Sequence, residues 1–408
     1  MSYIEPTDRI QVDWTADRVR TAERLADAGN LRLAADLCET LQNDDRVSAS
    51  IALRSRGGLA LFSGFERSAA RSRDALQAER FLEAEEDWYT LVPDNELALL
   101  DSWAILLGVG LAQNVWPKEV NSAGRLVSTL ETWSPRNLRR DHNGRWLVRT
   151  ADSGDVEVAP GDGQWVLHTP SGAKRPWATA PWRAVVRWWL LIQYARQDIA
   201  RYGERAAGIM VATPPAPVMG GKVDDVERKV QKRQLAEDLT ELGRNGSIVL
   251  PAGWDAKLVQ ATANTHRVYI DQCALAQAGI AIALRGQTLT TEVKGGSFAA
   301  ATVHASVEHT LLTADANARA VTLHDQVLVP WARYNLRGGA AAAPWPVWDT
   351  TPPEDLLATS QAWNGALDAM TKATQLGLEI DEQEVARRFR MPLRKRADAA
   401  PRDTTNAK

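Results

Sequence analysis

The amino-acid sequence predicts a mostly helical α+β protein, and three observations carry that prediction. Stretches dominated by Ala, Leu, Arg and Glu recur along the chain, and these are strong helix formers. Residues 136–171 break that character, with short β-prone runs parted by Asn143-Gly144, Ser153-Gly154 and Gly161-Asp162-Gly163. Of the 408 residues 45% are apolar and 24% charged, the balance of a globular chain able to bury a sizeable core.

Helix is expected over Ala16 to Ala28 and Leu31 to Gln42, with Gly29-Asn30 as the break between them. The text from Asp44 to Phe65 is mixed in pattern around Gly57-Gly58, and Ala69 to Glu86 reads as a charged helix with a solvated face. Glu96 to Val115, with Trp103, Ile105, Leu106 and Leu107, reads as one buried helix. Trp146 to Val148, Val156 to Val158 and Trp165 to Leu167 are expected to form a small antiparallel meander. Pro181 opens a strong helix over Trp182 to Tyr202 whose apolar residues surround it, so burial on every side is expected.

Gly203 to Thr262 reads as an α/β insertion. Short strands at Gly208 to Ala212, Ser247 to Leu250 and Lys257 to Gln260 flank a charged helix from Val223 to Leu242. Thr265 to Leu284 is an alanine-rich helix, and a polar, glycine-flanked segment follows from Arg285 to Gly296. Helix is expected again over Phe298 to Leu312 and Ala316 to Tyr334. Beyond the low-complexity stretch Gly338 to Pro346, Pro353 to Arg390 reads as a helical pair. Trp363, Leu367 and Met370 supply the helical spacing, and Asp381 with Glu384 the capping box.

The formal charge is −3, divided unevenly: 386–408 carries eight Lys/Arg against two Asp, a net of +6, which leaves −9 for the first 385 residues. An acidic body is not that of a tight nucleic-acid binder. Cys38 and Cys273 are the two cysteines, too few for a disulfide framework and in keeping with a reducing compartment. Met1 to Asp13 lacks the apolar core of a signal peptide. Ala184 to Ile192, interrupted by Arg187, is far short of a membrane span of ~20 residues. A cytosolic protein is expected.

Motifs of catalysis are absent from the sequence. Gly220-Gly221-Lys222 is followed by Val223 and lacks the remaining residues of a Walker A loop, and Gly108-Val109-Gly110 lacks the third glycine of a dinucleotide fingerprint. Gly295-Gly296-Ser297 looks like a nucleophile elbow, but the preceding Thr290 to Lys294 is polar where an elbow follows a buried strand. Ser297 and His304 lie two helical turns apart, about 10.5 Å along one helix, too far for a direct hydrogen bond. Ser297 therefore reads as a helix N-cap. The histidines, including His304 and His309, form no metal-ligand spacing. Neither catalytic residues, a metal nor a cofactor is expected.

One count is unusual: 16 tryptophans against six tyrosines and five phenylalanines. Each indole covers roughly 150–250 Å² when buried, so a large core or a large interface is needed.

The text RGQTLTTEVKGGSFAAATVHASV from Arg285 to Val307 resembles the Mu-type bacteriophage portal protein family. The likeness extends through the preceding YIDQCALAQAGIAIAL and the following LLTADANARAVTLHDQVLVPWARYN, and covers about Trp182 to Pro392. Weaker likeness lies in DDRVSASIALRSR, RQDIARYGERA and GLEIDEQEVARRFRMP. The resemblance implies a phage portal fold of wing, stem, clip and crown, assembled as a dodecameric ring at one capsid vertex. Residues 1–180 would be the wing with its meander, 181–205 the first stem helix, 206–262 the α/β clip and 263–284 the second stem helix. Residues 285–297 would be the tunnel loop, 298–350 wing return helices, 351–396 a helical crown and 397–408 a basic, disordered tail.

The same resemblance implies that Gln287, Thr288, Thr291 and Lys294 face DNA in the channel. Arg228, Lys229, Lys232 and Arg233 on the clip helix would meet terminase or neck. Trp182, Trp188, Trp189, Ala276 and Gly279 are expected at subunit interfaces, because apolar and small-residue helices want neighbours that a ring supplies. The implied partners are further copies of the chain, double-stranded DNA, the terminase large subunit, a major capsid or scaffolding protein and a neck or tail adaptor. The protein would be assembled in the host cytoplasm and reside in the virion. An acidic body suits such a conduit, since a lumen that neutralised many phosphates would hold the duplex. Two rivals are a head-tail adaptor ring without portal role and a serine hydrolase built on Ser297.

Overall fold

In the computed structural model the chain divides into two units, Met1–Thr350 and Thr351–Lys408. The structure describes residues 13–66, 86–206, 209–213, 255–259, 265–287, 298–350 and 356–376, with a few single positions between them.

Three short helices begin the first unit. Helix α1 (Ala16–Asp27) is capped by Thr15, whose hydroxyl accepts from the Arg18 N–H, and it buries Val19, Ala22 and Ala26 at i, i+3 and i+7. Helix α2 (Arg32–Leu41) buries Ala34, Ala35, Leu37, Cys38 and Leu41. Helix α3 (Asp45–Leu59) starts where the Asp44 carboxylate accepts from the N–H groups of Arg46 and Val47. Strand β1 (Phe62–Glu66) pairs with a distant strand near residue 347.

Helix α4 (Glu86–Leu91) precedes α5 (Asp94–Leu107). The single helix expected over Glu96 to Val115 is in fact a helix, a turn and a strand. Gly108 takes φ +89° as the helix cap, and a Cβ there would lie 2.6 Å from the Pro176 carbonyl oxygen. A Cβ on Gly110 would lie 2.5 Å from the Leu100 carbonyl oxygen, so the chain folds back tightly onto its own helix. Strand β2 (Gly110–Val115) follows and is the centre of an antiparallel sheet ordered β3 (Thr129–Trp133), β2, β7 (Trp165–His168). Ala112 faces Thr132 on one side and Val166 on the other.

The expected three-run meander is also redistributed. Strands β4 (Leu138–Arg140), β5 (Trp146–Thr150) and β6 (Gly154–Val158) form one antiparallel sheet, while the third run, β7, leaves it for the sheet around β2. The reason is burial: all four residues of β7 are buried, and such a strand needs cover on both faces. Asp162 makes the turn into β7 by accepting from the N–H groups of Gln164 and Trp165.

After the short helix α6 (Pro176–Thr179) comes α7 (Trp182–Ala206), then the two-stranded ribbon β8 (Ile209–Thr213) and β9 (Asp255–Val259). The expected strand Ser247 to Leu250 and the tail from 397 lie outside the described residues, as do most of the helices expected over Ala69 to Glu86 and Val223 to Leu242. Helix α8 (Thr265–Arg285) packs along α7.

Helix α9 (Phe298–Leu323) runs unbroken across 312–316, where two separate helices were expected. It passes into a π-turn, His324–Leu328, and then α10 (Val329–Asn335). Pro330 has no N–H to donate, and the wide turn just before it accommodates that missing bond. Strand β10 (Trp345–Trp348) closes on β1. The second unit contributes α11 (Leu356–Gln375), on which Leu367 is exposed, as is Leu376 just past its end; its expected second helix lies outside the described residues.

Two hydrophobic cores result. One gathers α1, α2, α5, α7 and α8 around Trp103, Trp133, Trp165, Trp177 and Trp182. Trp133 and Trp165 meet edge to face at 5.1 Å, as Trp146 and Trp177 do at 5.4 Å. The other joins α4, β2, α9, the π-turn and β10 around Trp88, Trp331 and Trp348. Much of the tryptophan excess is thus spent inside the chain.

A candidate channel hairpin and its buried anchors

Five of the residues expected to matter lie on two helices, Trp182, Trp188 and Trp189 on α7 and Ala276 and Gly279 on α8, and α9 lies beside them. Where α7 crosses α8 the contact is set by size. A Cβ on Gly279 would fall 2.4–2.6 Å from three atoms of the Trp188 indole, so the glycine is the seat of that ring. Ala276, Ile280 and Leu284 of α8 are buried in one cluster with Val185, Val186, Leu190 and Ile192 of α7.

Helix α8 ends at Gly286, whose φ of +71° suits the residue after a helix and whose N–H donates to the Ile282 carbonyl at 2.9 Å. From there to α9 the links are ionic. Arg285 Nη2 lies 2.7 Å from Glu308 Oε1. The Arg54 guanidinium of α3 takes Asp315 with two parallel bonds, Nε to Oδ2 at 2.8 Å and Nη2 to Oδ1 at 2.7 Å, and also donates Nη1 to the Leu284 carbonyl at 2.9 Å.

One turn further along α9, Arg319 is 1% exposed and donates to Asp101 Oδ2 from Nε at 2.8 Å and Nη2 at 2.6 Å. The Trp348 ring lies 5.2 Å from its guanidinium carbon, and Gly58 of α3 packs against its Nη2. His168 completes the cluster. The Thr322 hydroxyl donates to the Ala318 carbonyl at 3.0 Å, so at 2.8 Å it accepts from His168 Nδ1–H. That assignment leaves the Nε2 lone pair facing Asp101 Oδ1 across 3.7 Å, and Oδ1 has no hydrogen bond. Burial pushes the Asp101 carboxyl up to about 6, against the pull of Arg319. Burial, helped by the Arg319 charge, pushes the His168 imidazole down to about 3, so it stays neutral near pH 7.

The residues singled out from sequence fall unevenly on this frame. Gln287 sits at the end of α8 but is only 5% exposed, and neither amide atom has a hydrogen-bond partner. Thr288, Thr291, Lys294, Ser297 and Arg228 lie outside the described residues. Lys229, Lys232 and Arg233 are exposed, and Arg233 pairs with Glu237 one turn on at 3.2 Å. The positions expected at subunit interfaces divide by burial. Trp182 and Ala276 are 0% exposed within the chain, and Gly279 lies under the Trp188 ring of the same chain. Trp188 and Trp189 keep partial exposure. Sequence reasoning missed Arg54, Asp101, Asp315 and Arg319; a lone acid in LALLDSWAILL and a lone arginine among alanines in ADANARAV were the available signals.

Among the described residues no group of His, Cys, Asp and Glu is placed to hold a metal, and no helix is long and apolar enough to cross a membrane. Residues 35–391 match the family described as the portal protein of Mu bacteriophage, and the chain belongs to that family. Its role is that of a phage portal protein. It is 22% identical over 379 residues to the Mu-like prophage FluMu protein gp29 of Haemophilus influenzae, covering 91% of this chain and 69% of that protein. Among solved structures it is similar to a chain from the neck of an empty GTA particle computed with C6 symmetry, with 14% identity, a TM-score of 0.49 and coverage of 91% and 96%. It is also similar to an HK97 family phage portal protein from Corynebacterium diphtheriae, with 10% identity, a TM-score of 0.41 and coverage of 70% and 88%.

Proposed function

We propose that copies of this chain form a closed ring, a dodecamer, at one vertex of a phage capsid, through which double-stranded DNA is packaged and later ejected. The family match across 35–391 carries this reading. The α7–α8 pair forms the stem and the 288–297 segment faces the DNA. The terminase large subunit and, after it, a neck or tail adaptor engage the clip, where Lys229, Lys232 and Arg233 are exposed. A major capsid or scaffolding protein holds the outer rim, and the ring assembles in the host cytoplasm before entering the virion.

An acidic body supports passage over retention, because few phosphates would be neutralised and little counterion-release affinity gained. Thr288, Thr291 and Lys294 touch the backbone weakly as it slides. Gln287 supports the described end of the hairpin more than it reaches outward, given its burial. The test is deletion of residues 288–294 in a packaging and infection assay. Rings should still form while packaged DNA is lost or leaks; unchanged packaging and retention would contradict the assignment.

A further inference from the structure

The C-terminal turn of a helix leaves carbonyls without intrahelical donors. In α8 one of these, Leu284 O, is taken by Arg54 of α3, a residue 230 positions earlier in the chain. The same guanidinium grips Asp315 of α9 through its other two donor directions. Arg54 therefore bonds the end of α8 and the middle of α9 at once, from a third helix, with only 13% of its side chain exposed and 11% of its partner's. A planar guanidinium holds its donors in a rigid fork, so three bonds to two elements fix both their distance and their angle. A lysine ammonium, a point charge on a flexible stem, fixes neither.

We infer that Arg54 is a positioning residue that fixes the C-terminus of α8 against the middle of α9. It sets the separation of the two helices, and under the portal reading retention of DNA depends on that separation. Arg285 with Glu308, and Gly286 beside Val307 and Leu311, also tie the two helices directly, and Arg319 with Asp101 holds α9 to α5; Arg54 adds a bond to both helices at once from α3. The functional consequence rests on the portal reading; the geometric role does not.

The two are tested separately. In the full chain with Cys273→Ser, spin labels at Ile282→Cys and Asn317→Cys, both exposed positions, report the α8–α9 distance by pulsed EPR, with labelled chain diluted into unlabelled chain. Wild type should give one narrow peak. Arg54→Lys should lose it, and so should Arg54→Met/Asp315→Leu, in which two apolar side chains replace the pair and the thermal midpoint stays close to wild type, as such replacements often allow. A narrow, unshifted peak in both variants would overturn the inference. So would broadening that appears only alongside a collapsed thermal midpoint, because that is loss of fold rather than of position. In particles, Arg54→Lys should leave rings assembled but reduce retained DNA, and full retention would overturn the functional consequence. If particles lacking the chain package DNA normally, the portal reading itself fails while the distance result stands.

Discussion

The α7–α8 contact and the seat of α9 sit side by side in the molecule, yet opposite chemistry holds them. Along α7–α8 the fit is one of volume: a glycine under an indole, alanines between aliphatic side chains and, among the described residues, no ion pair across the buried face. Around α9 it is charge: Arg54 with Asp315, Arg319 with Asp101, Arg285 with Glu308. Apolar packing is non-directional and sums over area, so it is suited to keeping two long helices zipped. Charge-assisted bonds are short and directional, so they suit a helix that must hold one position against the body. Buried, they also make α9 dependent on each partner, since loss of one leaves the other uncompensated.

The largest effect should come from breaking the charged side. Arg319→Leu leaves Asp101 buried and alone and should cost about 3–5 kcal/mol by denaturant unfolding at neutral pH. Adding Asp101→Leu should recover most of that loss, and failure to recover would show that packing rather than charge was lost.

The pH dependence sharpens the same contrast. Asp101 has its folded pKa raised from 3.8 to about 6, so the native state binds its proton more tightly and this group adds stability as pH falls from about 6 to about 4. His168 has its folded pKa lowered from 6.5 to about 3, so its contribution is complete above pH 6.5 and is lost as pH falls towards 3. Between about pH 6 and 4 the two slopes oppose and the wild type should be nearly flat. His168→Gln removes one of them, and stability should then rise by on the order of 1–3 kcal/mol as pH falls through that window. A variant as flat as wild type would contradict the assignment of the opposing slope to His168.

On the apolar side, Gly279→Ala should cost about 1–3 kcal/mol despite the better helix propensity of alanine, because the new methyl meets the Trp188 ring. Trp188→Leu in the same chain should relieve part of it. The smallest effect is expected at Gly58, where alanine would favour α3 by about 1 kcal/mol but meets Arg319 Nη2 at 2.9 Å. The net change in unfolding midpoint should be near zero, and a clear stabilisation would show that the Arg319 guanidinium yields easily.

Helix positions were legible where periodicity and caps agree, as at α1, α7 and α8. They were not at Gly108-Val109-Gly110, where an apolar run continues but the two glycines let the backbone approach Pro176 and Leu100 more closely than any Cβ would allow. Nor could local pattern show that Trp165–His168 leaves its neighbours for another sheet, because that choice is made by tertiary cover. Of the site, the polar segment and its flanking helices were readable from their text. The Arg54, Asp101 and Asp315 anchors were not, since each pairs with residues more than two hundred positions away. The tryptophan count could not say which rings are buried within the chain, as Trp182 is, and which keep exposure, as Trp188 and Trp189 do, because composition reports how much must be buried, not against what.

Particle mass and shape test the central claim most directly. Native mass measurement and electron microscopy of the purified full-length chain should show a closed ring with an axial channel, its mass a whole multiple of 44.8 kDa. A compact monomer across the concentrations at which capsids assemble would contradict it.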